Sequence, residues 1–218
     1  ETRINLTLRA QAETEINAPG PWISPQEQDR LFRRLEVLEK GDVLSFGGSL
    51  PQGMDPAFIR EVLDRLRSRG VFTVVDADGP LLLHSLKGCP DLVKPNRAEA
   101  AALLGLPEDY PDFAREATRR IQAMGARGVL LSLGAEGAAL LTASGDFIAL
   151  SAPKGAVKGT TGAGDSLTAG FLAGLSLGED WSGALDWAIA AGSATAFSGY
   201  LAAKDEILSI IKAQRGGK

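Results

Sequence analysis

The stretch that decides the fold is KGTTGAGDS at residues 158–166, which runs directly into LTAGFLAGL at residues 167–175. The second part predicts a helix, because Ala, Leu and Phe recur at three- and four-residue spacing and Pro is absent. The first part predicts a glycine-rich turn that leads into this helix. The first N–H groups of a helix lack internal partners and carry a partial positive charge, so this turn is suited to binding an anion.

Asp165 lies just inside the predicted helix. A carboxylate beside an anion site can act as the base that activates a hydroxyl for attack on a phosphoryl group. The alternative is a plain helix start, in which an acidic residue interacts favourably with the helix dipole. The tetrapeptide GAGD at residues 162–165 is compatible with both interpretations, and residues elsewhere in the chain decide between them.

Composition excludes several classes of protein. The 218 residues are 44% apolar and 23% charged, as is usual for a globular protein that dissolves in water. The net charge is −4 without a block of like charge, which argues against nucleic acid or an anionic membrane as a partner. No apolar run approaches the length of a membrane span, which is about 18 residues or more. The single cysteine, Cys89, excludes an internal disulfide and favours a reducing, cytoplasmic setting.

Apolar strands alternate with helical segments along the chain. Strands are predicted at residues 3–8, 14–17, 42–46, 71–75, 92–94, 128–132, 138–142 and 146–150. Helices are predicted at residues 25–38, 56–69, 81–86, 96–105, 112–124, 163–177, 181–197 and 204–214. The 42–46 strand reads as buried, and Leu31, Leu35 and Leu38 share one face of the first helix. This order predicts an α/β fold of three layers, a mostly parallel sheet with helices on both faces.

Four polar or glycine-rich loops each follow a predicted strand, at residues 47–53, 76–79, 94–99 and 132–137. In parallel sheets of this kind, ligands bind at the carboxyl ends of the strands. We therefore expect the four loops to lie at one edge of the sheet, together with the 159–165 turn.

Asn96 and Glu99 support two interpretations. As structure, Asn at a helix cap followed three residues later by Glu is a capping box. As function, the two side chains can hold a hydrated Mg²⁺ ion, which retains its water ligands, and orient phosphate. Lys94, two residues before Asn96, is either a phosphate contact or a solvated charge.

The remaining loops are each compatible with plain structure. Ser132, Gly134 and Gly137 either form a sharp turn or present hydroxyl and N–H groups to a nucleotide. Ser49 lies in a strand exit that could also contact a sugar. Gly192, in a run of small residues, either packs a helix closely or makes room for a flat adenine ring.

Several familiar catalytic patterns are absent from the sequence. It contains no Gly-x-x-x-x-Gly-Lys-Ser/Thr loop, no Gly-x-Gly-x-x-Gly fingerprint and no Gly-x-Ser-x-Gly elbow. No cluster of His and Cys indicates zinc, and His84 is expected to be a surface or core residue. Any nucleotide must therefore bind by another scheme.

The motifs and their order resemble those of the PfkB (ribokinase-like) carbohydrate kinases over nearly the whole chain. They are Gly48-Ser49-Leu50-Pro51, Lys94-Pro95-Asn96-x-x-Glu99, Ser132-Leu133-Gly134-x-x-Gly137 and Thr160-x-Gly162-Ala163-Gly164-Asp165-Ser166. Within the family the resemblance is to the 1-phosphofructokinase branch, with tagatose-6-phosphate kinases as near relatives. It implies the ribokinase-like fold and transfer of phosphate from ATP to fructose 1-phosphate, giving fructose 1,6-bisphosphate and ADP.

The resemblance also implies roles for individual residues. Asp165 would be the catalytic base, and the N–H groups of Gly162, Ala163 and Gly164 would form the anion hole. The cofactors would be ATP and Mg²⁺. Asn96 and Glu99 would handle Mg²⁺ through water, and Arg3 and Ser49 would contact the sugar phosphate. The residues assigned to nucleotide binding are Ser132, Gly134, Gly137, Thr160, Lys94, Asn96 and Gly192.

The chain departs from the family pattern at its N-terminal side. The family usually carries an earlier substrate-binding Asp and a Gly-Gly-x-x-x-Asn motif, and neither occurs here. We therefore expect an N-terminally truncated kinase domain in which residues 1–20 are the remnant of a small β lid and residues 21–218 are the core. An incomplete sugar site leaves a nucleotide-binding fragment without activity as the alternative function. Relatives often dimerise through the lid strands, so a homodimer is a further expectation.

Overall fold

The computed structural model describes residues 4–9 and 13–216, so Arg3, a predicted sugar contact, lies outside the described residues. The strands are β1 (Asn5–Arg9), β2 (Glu13–Asn17), β3 (Val43–Gly47), β4 (Phe72–Asp76), β5 (Leu92–Val93), β6 (Gly128–Ser132), β7 (Ala138–Leu141) and β8 (Phe147–Leu150). The helices are α1 (Pro25–Leu35), α2 (Ala57–Arg67), α3 (Gly79–Lys87), α4 (Arg97–Leu104), α5 (Phe113–Ala123), α6 (Ala163–Ser176), α7 (Trp181–Ser198) and α8 (Lys204–Gly216). No helix in the described ranges is long and apolar enough to cross a membrane.

The strands form two sheets. β1 and β2 pair antiparallel near the N-terminus, with Leu6 opposite Ile16. The other six strands form one sheet in the order β3-β4-β5-β6-β7-β8. Strands β3 to β6 are parallel, and the two pairs that involve β7 are antiparallel. The predicted α/β fold with a mostly parallel sheet is therefore confirmed.

Helices pack on both faces of the large sheet. Successive residues of each strand point to opposite faces, so they belong to two separate cores. In β4, Val75 belongs to a core formed with α2, α3, α4 and α5, whereas Val74 belongs to a core formed with α6 and α7. In β6, Leu131 and Leu130 divide in the same way. The second core contains Phe171 of α6, which is completely buried. These two cores fix the position of α6, whose first turn follows the glycine-rich stretch.

The prediction that residues 42–46 form a buried strand is wrong. β3 pairs only with β4 among the described strands and alternates between exposed and partly buried residues, with Val43 43% exposed. An apolar strand at the edge of a sheet has the same local sequence signal as a central one, because burial depends on the neighbours that tertiary structure supplies.

The predicted face of α1 is also partly wrong. Leu31 is 38% exposed, whereas Phe32, Leu35 and Leu38 pack against a third apolar cluster that contains Phe58 of α2. The start of α1 is as predicted: the Ser24 hydroxyl accepts a hydrogen bond from the Glu27 N–H, and the Glu27 carboxylate accepts one from the Ser24 N–H. Local capping signals thus located the helix, while its orientation on the sheet decided which leucine is buried.

Candidate active site

The carboxyl ends of β4 and β5 bring together an aspartate and a lysine. Asp76 ends β4 and Lys94 follows β5, and the two strands are parallel neighbours. The Lys94 Nζ lies 3.0 Å from the Asp76 Oδ1. The Lys94 side chain is only 6% exposed, so the interpretation as a solvated charge is wrong.

Burial raises the pKa of Asp76, and the adjacent Lys94 ammonium opposes this increase. The Thr168 Oγ1 donates a hydrogen bond of 3.2 Å to the Asp76 Oδ2, which also favours the charged carboxylate. Repulsion by the Asp165 carboxylate raises the pKa of Asp76 further. Asp76 and Asp165 therefore share one electrostatic environment at this edge of the sheet.

The glycine-rich stretch leads into α6 beside the ion pair of Asp76 and Lys94. Gly162 adopts the left-handed conformation, with φ of +78°, and its carbonyl accepts the Ser166 N–H at 2.9 Å. Asp165 is exposed in the first turn of α6. An ideal Cβ built on Gly164 would lie 3.6 Å from the Lys94 Nζ, so the ammonium is directly beside the turn. An anion at this position would meet both the helix N-terminus and the lysine.

One assigned member of the anion hole has another partner. The Ala163 N–H donates to the Thr160 carbonyl at 3.1 Å and closes the turn. In this structure the Ala163 N–H therefore stabilises the turn, and its part in the anion hole stays a prediction. The first-turn N–H groups that follow, those of Gly164 and Asp165, have no acceptor within the helix.

Helix α7 holds the glycine-rich stretch in place. The Ala196 carbonyl accepts the N–H groups of Lys158 and Gly159, at 2.8 and 3.3 Å. The buried Thr195 Oγ1 donates a hydrogen bond of 2.8 Å to the Ser166 Oγ, immediately after Asp165. These contacts attach both ends of the glycine-rich stretch to α7.

Gly192 lies inside the contact between α6 and α7. A Cβ at this buried position would be 3.1 Å from the Ala163 carbonyl oxygen. The lack of a side chain at Gly192 therefore allows α7 to approach the start of α6, as the packing interpretation predicts, and the contact of Gly192 with adenine stays a prediction.

Asn96 and Glu99 form the predicted capping box at the start of α4. The Asn96 Oδ1 accepts the Glu99 N–H and the Glu99 Oε2 accepts the Asn96 N–H, each at 2.8 Å. Burial raises the pKa of Glu99, while the Asn96 N–H and the Lys94 ammonium lower it. Asp76 and Asp78 also raise the pKa, which places Glu99 within the electrostatic reach of the same edge.

The donors for a divalent cation at this edge are carboxylate and amide oxygens, the type that Mg²⁺ prefers. Glu99 and Asn96 each use one oxygen in the capping box. Within the described ranges no three Asp, Glu, His or Cys side chains are arranged to bind a metal directly. The residues present therefore fit a hydrated ion held through water by Glu99, rather than one bound by several protein ligands.

The 132–137 loop reaches the same edge. Ser132 forms a parallel bridge with Asn96, and the Arg97 Nη2 lies 2.6 Å from the Glu136 Oε2. Gly134 is exposed, with φ of +60°. Gly137 is buried, and a Cβ on it would lie 2.0 Å from the Leu150 carbonyl oxygen, so this glycine is required by the fold. Of the other two assigned residues, Ser132 is half-buried and Gly134 is exposed, so both can be reached from solvent.

Ser49 is exposed in the loop after β3. The end of β3 lies beside the end of β4, because Gly47 is in register with Asp76 and the Gly48 N–H donates to the Asp76 carbonyl at 3.0 Å. Thr160 is exposed on the glycine-rich stretch. The structure thus brings Lys94, Asn96, Glu99, Ser132, Ser49 and the 162–165 turn to one edge, as the order of strands and loops predicted.

A cleft of about 530 Å³ opens between the end of α7 and the start of α8. Its walls include Lys158, Phe197, Tyr200 and Glu206. The cleft adjoins the 158–166 stretch and is large enough to take part of a nucleotide.

Sequence reasoning gave no role to Asp76 or Thr168. Asp76 carried a usable signal, since it is the polar residue that ends an apolar strand at the ligand-binding edge. Thr168 carried no sequence signal except its position one helical turn after Gly164. Its hydrogen-bond partner, Asp76, is 92 residues away in the chain, so no local pattern indicates the contact.

The profile of the pfkB family carbohydrate kinases matches residues 1–206. The chain belongs to this family. It is 31% identical over 211 residues to a 1-phosphofructokinase of Bacillus subtilis, covering 97% of this chain and 69% of that protein. A 1-phosphofructokinase of Escherichia coli K12 is 36% identical over 181 residues, covering 82% of this chain and 58% of that protein.

Two further family members support the assignment. A D-tagatose-1-phosphate kinase of Klebsiella oxytoca is 33% identical over 214 residues, covering 96% of this chain and 70% of that protein. The crystal structure of phosphofructokinase-2 from Escherichia coli in complex with fructose-6-phosphate superposes with a TM-score of 0.87 at 27% identity, covering 96% of this chain and 69% of that chain. The chain thus spans 58% to 70% of the length of these four relatives.

Proposed function

We propose that this chain carries the phosphoryl-transfer site of an ATP-dependent sugar-phosphate kinase. The observation that supports this most directly is the exposed Asp165 in the first turn of α6, next to a glycine turn with the buried Lys94 ammonium beside it. A carboxylate base, helix N–H donors and a cation converge there, which is the combination that phosphoryl transfer uses.

In this mechanism Asp165 accepts the proton of the sugar hydroxyl as the hydroxyl oxygen attacks the γ-phosphorus of ATP. The bond from the γ-phosphorus to the bridging oxygen of ADP breaks as the new bond forms. First-turn N–H groups of α6 and the Lys94 ammonium stabilise the charge on the transferred group. Mg²⁺ supplies charge neutralisation on the phosphates, and Glu99 with Asn96 would hold it through water.

Ser132, Gly134 and Thr160 are proposed to contact the nucleotide, since Ser132 ends β6, Gly134 follows it and Thr160 belongs to the glycine-rich stretch that leads into α6. Ser49 and Arg3 are proposed to contact the sugar phosphate. We further propose that residues 1–20 act as a lid on the core formed by residues 21–218. Exposed apolar side chains on β1 and β2, such as Leu6 and Ile16, support homodimerisation through this hairpin, which sedimentation velocity would test.

The proposed sugar substrate is fructose 1-phosphate, since two of the relatives above are 1-phosphofructokinases. Tagatose phosphates are the alternative, favoured by the similarity to a D-tagatose-1-phosphate kinase. A panel of ketohexose phosphates with coupled detection of ADP separates these, with the Bacillus subtilis relative as positive control. Isothermal titration with ATP, run in parallel, separates a kinase from a chain that binds nucleotide without turnover.

Asp165→Asn tests the assignment of the base. The amide cannot accept the proton, so we expect kcat to fall by roughly 10²–10⁴-fold. ATP binding, measured by titration, should remain. Asp180→Asn is a suitable control, because Asp180 caps the start of α7 and lies outside the proposed site. An Asp165→Asn variant with the turnover of the unmodified chain would show that another group is the base.

A further inference from the structure

A lysine with a buried charge needs a fixed partner, because removing an ammonium from water costs free energy that only a close opposite charge recovers. Lys94 has this partner in Asp76, 3.0 Å away. Its four-carbon side chain is otherwise flexible, so the position of Asp76 determines where the ammonium lies.

Asp76 is itself fixed from the opposite side. Its Oδ2 accepts a hydrogen bond from the Thr168 hydroxyl, which also lies 3.3 Å from the Gly164 carbonyl oxygen. Thr168 is buried and belongs to α6, the helix whose first turn contains Gly164 and Asp165. The Thr168 hydroxyl, the Asp76 carboxylate and the Lys94 ammonium thus form a continuous chain of contacts from α6 back to the glycine turn.

We propose that Asp76 and Thr168 are positioning residues: Thr168 fixes Asp76, and Asp76 holds the Lys94 ammonium beneath the turn at residues 162–164. This arrangement places the ammonium beside the first turn of α6, which contains Asp165, because Thr168 at one end of the chain of contacts belongs to α6 and the Lys94 Nζ at the other end lies 3.6 Å from an ideal Cβ on Gly164. The expected loss of kcat rests on the proposed function, whereas the placement of Lys94 by Asp76 does not.

The expected consequence concerns the chemical step more than ATP binding. A charged group displaced by about 1 Å from the reacting phosphoryl group can lower the rate by about 10²-fold. We therefore expect Asp76→Asn to lower kcat by about 10²-fold while KM for ATP changes much less. Thr168→Val, which keeps the shape and removes the hydroxyl, should lower kcat by about tenfold, as for a lost hydrogen bond to a charged group. Thr168→Ser keeps the hydroxyl and should retain most of the activity.

The chain offers matched controls for both substitutions. Asp91 is a carboxylate with the same side-chain exposure as Asp76, 17%, and with an arginine partner, Arg127, at 2.9 Å. It precedes β5 and therefore lies at the opposite end of that strand. Thr118 is a buried threonine of α5 whose hydroxyl donates to backbone carbonyls of the preceding helical turn. Asp91→Asn and Thr118→Val should lower thermal stability without the selective loss of kcat.

Acylation of lysines, followed by peptide mass spectrometry, measures the placement of Lys94 without any need for turnover. In the unmodified chain Lys94 should react far more slowly than the exposed Lys87 and Lys158. In folded Asp76→Asn and Thr168→Val its labelling rate should rise by about tenfold, as expected when a hydrogen bond to a charged group is lost. Thermal unfolding of each variant identifies those that fold.

Unchanged Lys94 labelling in both folded variants would overturn the proposal, as would equal loss of kcat in Thr168→Ser and Thr168→Val. If Asp76→Asn does not fold, the comparison of Thr168→Val with Thr168→Ser decides the question. Absence of turnover in the unmodified chain would refute the proposed function for this chain. The labelling result would still support or overturn the placement of Lys94 by Asp76.

Discussion

Replacing Gly164 with alanine separates the stability of α6 from the use of its first turn as an anion site. Outside the backbone of its own helix, the new Cβ would have one neighbour within 4 Å, the Lys94 Nζ at 3.6 Å, which is ordinary van der Waals contact. The backbone of Gly164 is not in the left-handed region, so alanine adopts it without strain. The fold therefore accommodates the methyl group.

Alanine is favoured over glycine within a helix by up to about 1 kcal/mol. For a chain of this size we expect a Tm that is unchanged or raised by about 2–4 °C. Function should respond in the opposite direction. The methyl group would lie 3.6 Å from the Lys94 Nζ, at the turn where the phosphoryl group is proposed to bind. The N–H donors remain in the alanine variant, but a methyl group that keeps the phosphoryl group away from one of them should lower kcat by about 10²–10³-fold, as removal of one such donor does.

The assay combines differential scanning calorimetry with coupled detection of ADP and isothermal titration with ATP. Gly216→Ala is the control, because this glycine also lies in a helix and a Cβ there would meet nothing within 4 Å. A Gly164→Ala variant that is as stable as the unmodified chain and retains full ATP binding and turnover would refute the placement of the phosphoryl group at this turn.

Two further predictions concern the loops around the site. Gly137→Ala should lower the free energy of unfolding by about 3 kcal/mol or more, because φ is +107° and the Cβ would lie 2.0 Å from the Leu150 carbonyl oxygen. Gly145→Ala, with φ of +92° and open space, should cost only about 1 kcal/mol in the same denaturant titration, and equal losses would contradict the argument from crowding. Burial raises the pKa of Glu99 in the folded state, so the folded state binds the proton more tightly than the unfolded state does. The contribution of Glu99 to the free energy of unfolding therefore increases as the pH falls from above the folded-state pKa to the unfolded-state pKa. Glu99→Gln should remove this dependence, which denaturation at several pH values would show; an unchanged pH profile would contradict the burial of this carboxylate.

The amino-acid sequence alone determined the order of strands and helices and the edge at which the loops meet. These features depend on local signals: the capping boxes at Ser24 and Asn96, the apolar strands, and the glycine-rich entry to α6. The carboxyl ends of parallel strands share one edge whatever their detailed register, so the convergence of the loops could be predicted before any contact was known.

Only the tertiary structure decided which groups meet at that edge. Asp76 and Lys94 are 18 positions apart, and their contact depends on β4 and β5 being neighbours in a particular register. The same holds for Thr168, and for Gly192, whose small size serves the contact of α7 with α6. Tertiary structure also assigned the Ala163 N–H to the turn and left β3 at the edge of the sheet. Local sequence encodes the propensity of a segment, whereas the partner of a buried charge is set by strand order and helix packing, which no local pattern contains.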